Sequence, residues 1–161
     1  MLARFWLSLF GIGFLKPGPG TWGSIAATLF WWSSLSGLEM VSQLFIFSTF
    51  TLMSIWICSK FLDDSGLGDE SWIVVDEFAA MLFILVFIPR DVALVFVALL
   101  MFRLFDIWKP WLVGLVDRKI HGGVGVMLDD LIAALFVLAL ILPLVLVVPE
   151  DLILSEYGLL Q

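Results

Sequence analysis

The chain has 161 residues, of which 62% are hydrophobic, 15% aromatic and only 14% charged, with a mean hydropathy of +1.13. Soluble domains carry about 25% charged and about 45–50% apolar residues, and a core this small cannot enclose such an apolar excess, so an ordinary soluble domain is excluded. Eight Lys and Arg against 15 Asp and Glu give a formal charge of -7, which excludes nucleic-acid binding through a basic surface and favours cationic partners such as metal ions.

Met1 to Leu15 places Arg4 among bulky apolar residues and lacks the small-residue cleavage site of a signal peptide. It is expected to lie in the membrane interface as an amphipathic helix. Lys16 to Ser24 (KPGPGTWGS) follows, and its prolines and glycines predict an ordered loop. Apolar segments then run from about Ser24 to Leu38, Val41 to Leu62, Trp72 to Ile88, Asp91 to Phe105 and Val126 to Val148. A hydrocarbon core of about 30 Å demands about 20 apolar residues per helix; the first, third and fourth segments are short, which allows tilting or partial burial. The expectation is one domain over residues 1–161: an all-α, compact multi-span membrane helical bundle of about four to five hydrophobic helices plus an N-terminal interfacial helix. Cys58, the only cysteine, excludes an internal disulfide and a cysteine zinc cluster and reads as a small buried hydrophobe. Most of the tryptophans fall near the expected interfaces, as in an aromatic belt.

If the amino terminus is cytoplasmic and all five segments cross, Arg4, Lys16, Lys60, Arg103, Lys109, Arg118 and Lys119 fall on the cytoplasmic side and only Arg90 falls outside. The positive-inside rule favours that orientation, which places the acidic tail Glu150, Asp151 and Glu156 outside. The loops Lys16 to Ser24, Asp63 to Glu77 and Arg103 to Asp130 then open on one face. They hold ten of the fifteen acids: Asp63, Asp64, Asp69, Glu70, Asp76, Glu77, Asp106, Asp117, Asp129 and Asp130. Like charge gathered near lipid is costly unless a cation neutralises it.

Several groups could do chemistry. Asp76 and Glu77 abut an apolar helix, where they need partners or serve as interfacial charges favoured by the helix dipole. Arg103, Asp106 and Lys109 recur at i, i+3 spacing and form one polar stripe. Such a stripe could hold a phosphate with its cations and a metal with its carboxylate, or could snorkel with internal ion pairs. Gly122, Gly123 and Gly125 allow close backbone approach to a ligand, and their amides could cradle an anion. Asp129 and Asp130 follow at once and offer hard oxygen ligands for Mg²⁺ together with phosphate oxygens, or simple helix caps. His121, the only histidine, could contact a phosphate or shuttle a proton, or be a plain hydrogen-bonding residue. Thr21 could bond a phosphate or cap the next helix.

Other phosphate-handling chemistries would leave traces that are missing. Cys58 lacks the arginine of a cysteine-phosphatase loop, and one histidine cannot build a two-histidine site. There is no D-x-D aspartyl-phosphate motif, no G-x-x-x-x-G-K-[ST] loop and no spaced-aspartate motif of the CDP-alcohol phosphotransferases. Water activated by metal ions held on carboxylates remains.

PGTWGSIAA (Pro19 to Ala27), VDEFAAM (Val75 to Met81), FRLFDIWKPW (Phe102 to Trp111) and DRKIHGGVGVMLDD (Asp117 to Asp130), in this order and spacing, resemble the phosphatidylglycerophosphatase A family. The resemblance spans about Gly18 to Ala134. Ala80 stands where a glycine is usual, and Leu112 replaces the second proline of K-P-W-P. The resemblance implies a Mg²⁺-dependent, multi-pass bacterial inner-membrane phosphoric monoester hydrolase. Its expected reaction converts phosphatidylglycerophosphate to phosphatidylglycerol and phosphate in phospholipid biosynthesis, at the cytoplasmic face and with no obligate protein partner. On that expectation Asp76, Glu77, Asp106, Asp129 and Asp130 bind Mg²⁺, and Arg103 and Lys109 hold the phosphate. Thr21, His121, Gly122 and Gly123 contact substrate. Asp117 orients water or acts as general base, with Asp130 and Arg103 also in the catalytic set. The competing class is a small transporter or ion-conducting subunit, which calls for acids spread across membrane depth and often an internal repeat; the sequence has neither.

Overall fold

The computed structural model describes residues 1–66, 70–109, 120 and 122–147, except the side chains of 146 and 147. Among the described residues there are six α-helices and no strand. They are α1 (Leu2–Leu7), α2 (Pro19–Phe30), α3 (Met40–Ser65), α4 (Val75–Phe87), α5 (Val92–Trp108) and α6 (Gly122–Val147). The expected tail Glu150, Asp151 and Glu156 lies outside the described residues.

Several boundaries differ from the sequence expectation by a few residues. α2 begins inside the expected loop, because Gly18 takes the left-handed conformation (φ 68°) and Pro19 follows as the first helical residue, where its fixed φ and missing N–H cost nothing. A π-helical turn, Trp31–Leu35, then extends α2. α6 begins at Gly122, ahead of the expected Val126. The N-terminal segment is not one helix: α1 ends at Leu7, and Leu9 and Phe10 take positive φ before a 3₁₀ turn at Ile12–Phe14.

α4 is the axis of the molecule. Nine of its thirteen residues are buried, including Ala79, Ala80, Met81 and Leu85, and α2, α3, α5 and α6 all pack on it. Ala80 has no exposed surface, so the methyl group that departs from the family pattern sits in the core. Phe50 stacks near Phe78 and Phe47 near Phe83, which makes α3 and α4 antiparallel. Lys109 with Asp129 and Phe105 with Phe136 do the same for α5 and α6. The starts of α4 and α6 and the end of α5 therefore meet at one end of the bundle.

Among the described residues, α3 (26 residues) and the Gly122–Val145 stretch of α6 (24 residues) are the helices both long and apolar enough to cross a bilayer unaided. At 1.5 Å per residue α4 is only about 20 Å long, and its neighbours rather than lipid enclose it. Phe45, Leu52, Phe96, Leu104, Ile107 and Leu140 point outward and are exposed, an apolar exterior far beyond what water-facing surfaces show. Hydroxyls on the helices donate to carbonyls one turn back, as in Ser24 Oγ to Gly20, Thr28 Oγ1 to Ser24 and Thr49 Oγ1 to Phe45, which satisfies them without solvent. Buried Trp31 Nε1 donates to Gln43 Oε1 at 2.8 Å and ties the α2–α3 connection. α1 is pinned by Trp6 Nε1 donating to Ser54 Oγ at 3.1 Å and by the amide of Val74 donating to the Leu7 carbonyl at 3.0 Å. Cys58 is fully buried, in one apolar cluster with Leu62, Ile73 and Met127.

Candidate active site

At the end where α4 and α6 begin, three acids converge. Asp76 and Glu77 occupy the first turn of α4, and Asp130 comes from the third turn of α6, about 12 Å along the helix from Gly122. One oxygen from each lies within 4.8 Å of the others. Residue exposure is 7% at Asp76 and 3% at Asp130, so these carboxylates lie inside the bundle, on helix faces that packing makes rigid.

Arg103, in the last turns of α5, supplies the facing positive charge. Its Nη1 lies 2.8 Å from Asp106 Oδ2 and 3.8 Å from Glu77 Oε1. Asp106 also lies beside Asp130. The cluster nevertheless leaves valences open. Glu77 Oε2, Asp130 Oδ2 and Arg103 Nε are buried and have no hydrogen-bond partner among the described residues. Each such group costs about 1–3 kcal/mol, and native structures tolerate few; an anion and a cation received together would satisfy both signs. Two oxygens sharing one Mg²⁺ sit up to about 4 Å apart, so the three carboxylates need only a side-chain adjustment to share one ion. The donor set is all oxygen, which suits Mg²⁺ or Mn²⁺.

Asp129 and Lys109 form a second pair beside this centre, with Nζ 2.9 Å from Oδ2. Asp129 thus differs from its neighbour: Asp130 turns toward the carboxylate cluster, while Asp129 turns to the cation and also accepts from the Asp130 amide at 3.0 Å. Asp76 likewise accepts from the Glu77 amide at 3.0 Å. The structure therefore brings Asp76, Glu77, Arg103, Asp106 and Asp130 together and sets Lys109 with Asp129 alongside. Asp117 and His121 lie outside the described residues.

The glycines sort differently from expectation. A Cβ on Gly123 would strike the backbone of Ser59 in α3, whereas nothing lies within 4 Å of one on Gly122, which has φ +77°. The close approach at Gly123 is thus between helices. Thr21 is the third residue of α2, after the cap, and no side-chain cap hydrogen bond forms there. Gly20 is absent from the expected site, yet a Cβ there would collide with Glu77 Oε1 and come within 2.9 Å of Arg103 Nη1. Its signal is the pair Gly20 and Gly23, one turn apart directly after Pro19. Gly23 meets Val74 and Glu77 Cβ in the same seam.

The fold and the site define a membrane-associated helical protein with a carboxylate–guanidinium centre buried at one end. The family model described as phosphatidylglycerophosphatase A matches residues 5–145. The chain is 37% identical over 128 residues to phosphatidylglycerophosphatase A of Haemophilus influenzae, covering 79% of this chain and 78% of the relative. It is 35% identical over 125 residues to phosphatidylglycerophosphatase A of Escherichia coli, covering 77% and 72%. A protein of Bacteroides thetaiotaomicron provisionally named a phosphatidylinositol-3-phosphatase is 34% identical over 139 residues, covering 82% and 86%. No solved structure matches the chain. The chain belongs to the phosphatidylglycerophosphatase A family and is a phosphatase.

Proposed function

We propose that the protein hydrolyses phosphatidylglycerophosphate to phosphatidylglycerol and phosphate, with Mg²⁺, at the cytoplasmic face of a bacterial inner membrane. The observation that carries this reading is the set of buried, unsatisfied polar atoms of both signs, Glu77 Oε2, Asp130 Oδ2 and Arg103 Nε, at one cluster. A phosphate monoester held with a divalent cation supplies the missing charge to each.

Asp76, Glu77 and Asp130 are the residues that would hold the ion. When bound, Mg²⁺ offsets the negative charge of the phosphate and polarises it toward attack. Arg103 holds phosphate oxygens through its free donor capacity, and Asp106 fixes the guanidinium that does so. Lys109 adds a second positive charge to the phosphate, and Asp129 aims its ammonium. Thr21, His121 and Gly122 contact the head group in this reading, while Gly123 packs against Ser59. In the reaction a water oxygen bonds to phosphorus, the ester P–O bond breaks, and the leaving glycerol oxygen takes up a proton. Asp117 accepts the proton of the attacking water in this reading. Rigid positioning and charge supply most of the catalysis for such a dianion.

The test is phosphate release by purified protein in liposomes containing phosphatidylglycerophosphate, phosphatidic acid or a phosphoinositide monoester, with Mg²⁺ or EDTA. Mg²⁺-dependent release that is fastest on phosphatidylglycerophosphate is expected. No release from any of them would overturn the reading, and preference for another lipid would move the head-group assignment.

A further inference from the structure

Between α2 and α5 runs an apolar cleft of about 350 Å³, lined by Thr28, Leu29 and Trp32 on one side and Val92, Val95 and Leu99 on the other. Gly20, Ser24, Thr28 and Trp32 recur every four residues and share one face of α2, and Val92, Val95, Leu99 and Arg103 share one face of α5. The cleft therefore lies along the same seam as the contact between Gly20 and Arg103. Leu99 precedes Arg103 by one turn, about 6 Å.

The two ends of the seam differ in chemistry. At one end stands Arg103 with its unsatisfied Nε. At the other, the Arg90 guanidinium covers the Trp32 ring at 4.9 Å, and its Nη2 donates to the Trp32 carbonyl at 3.3 Å. Among the described residues, no charged side chain lines the stretch between them, and the Thr28 hydroxyl donates to the Ser24 carbonyl. Leu29 and Val92 are exposed, at 65% and 68%, so the cleft opens sideways toward lipid. Its occupant must be apolar along most of its length and anionic at the Arg103 end.

We propose that the α2–α5 cleft is an acyl-chain subsite. It holds one fatty acyl chain of an anionic glycerophospholipid, admitted laterally from the bilayer, whose phosphate monoester reaches Arg103. This inference rests on the reading of the neighbouring centre as a lipid phosphatase. A larger groove of about 660 Å³ lies between α1 and α3, lined in part by Trp6, Met53, Trp56, Lys60 and Asp64. Among the described residues, those lining that groove come from α1 and α3, whereas the acids of the cluster and Arg103 come from α4, α5 and α6.

The full chain in liposomes provides the test. Leu99→Trp fills the cleft, and the ratio of kcat/KM for long-chain phosphatidylglycerophosphate over its deacylated, water-soluble counterpart should fall about tenfold. An unchanged ratio would overturn the subsite. Independently of turnover, phosphatidylglycerol carrying a diazirine in its acyl chain is photo-crosslinked to the wild-type protein and the adducts are mapped. Adducts should concentrate at Leu29 and Leu99 over Phe45 and Leu52 on the outer face of α3. Even labelling of those four positions, or adducts centred on Met53 and Trp56, would overturn the proposal. Wild-type protein that hydrolyses neither substrate would sink the phosphatase reading, while the crosslink map alone would still decide the cleft.

Discussion

A methyl group at Gly20 would land on Glu77 Oε1 and crowd Arg103 Nη1. Gly20 therefore acts on the candidate site through its lack of a side chain, which lets the first turn of α2 close over the acid and the cation. Gly20→Ala must push Glu77 or Arg103 aside, and displacements near 1 Å at such a centre cost about 10²-fold in rate. Phosphate release should fall by that order while circular dichroism keeps its helical signal. Asp130→Asn tests a different quantity. It preserves volume but removes one of three convergent charges, so Mg²⁺ binding followed by calorimetry should weaken by at least about 100-fold, together with turnover. Unaltered Mg²⁺ affinity in that variant would remove Asp130 from the ligand set. Both residues lie in motifs visible in the sequence, but only Asp130 announces its chemistry there. Asp129 and Asp130 are indistinguishable as neighbouring acids; the helix rotation of about 100° between successive residues sends one to Lys109 and the other to the carboxylate cluster.

The helices hold these groups by packing at positions where no other side chain fits. A methyl group on Gly123 would run into the backbone amide of Ser59 and lie 2.7 Å from its Cα, so α3 and α6 approach closely just before Asp129 and Asp130. Gly123→Val should force the two helices apart and cost about 1–3 kcal/mol, as overpacking does, read as a lowered thermal midpoint in detergent. The five apolar segments of the sequence correspond to α2 through α6, because long apolar runs bounded by Gly, Pro and charged residues leave few alternatives. The start of α2 is less legible. Proline reads as a breaker in a linear scan, yet after Gly18 in the left-handed conformation it opens a helix. The glycines after His121 are open to a phosphate-cradle reading from spacing alone, and the partner that explains Gly123, Ser59, is sixty-four residues distant in the chain.

For the molecule as a whole, helix direction alternates through α3 to α6, so the Asp76–Arg103–Asp130 centre and the loop carrying Arg90 lie at opposite ends. Lys60, near the end of α3, belongs to the end that holds the centre. The charge asymmetry of the sequence then predicts the orientation: the centre faces the cytoplasm and Arg90 the outer side. In right-side-out cells, Arg90→Cys should react with a membrane-impermeant maleimide and Lys60→Cys should not, with the native Cys58 silent because it is fully buried. The reverse labelling pattern would invert the topology and move the site away from a cytoplasmic substrate. α4, too short to span a bilayer alone, is enclosed by α2, α3, α5 and α6, which bury Asp76 at its start.

Composition and pattern alone determined the helical class, the excess of apolar residues that covers the exterior, the gathering of acids into a few motifs and the family resemblance, because all of these depend on residue type and spacing along one chain. Tertiary structure decided which acids meet, that Asp129 pairs with Lys109 while Asp130 joins Asp76 and Glu77, that Gly20 lies against Glu77 and Arg103, and that an apolar cleft opens between α2 and α5. Those outcomes depend on the rotation and separation of helices packed against α4, distances between residues remote in sequence that no local pattern encodes.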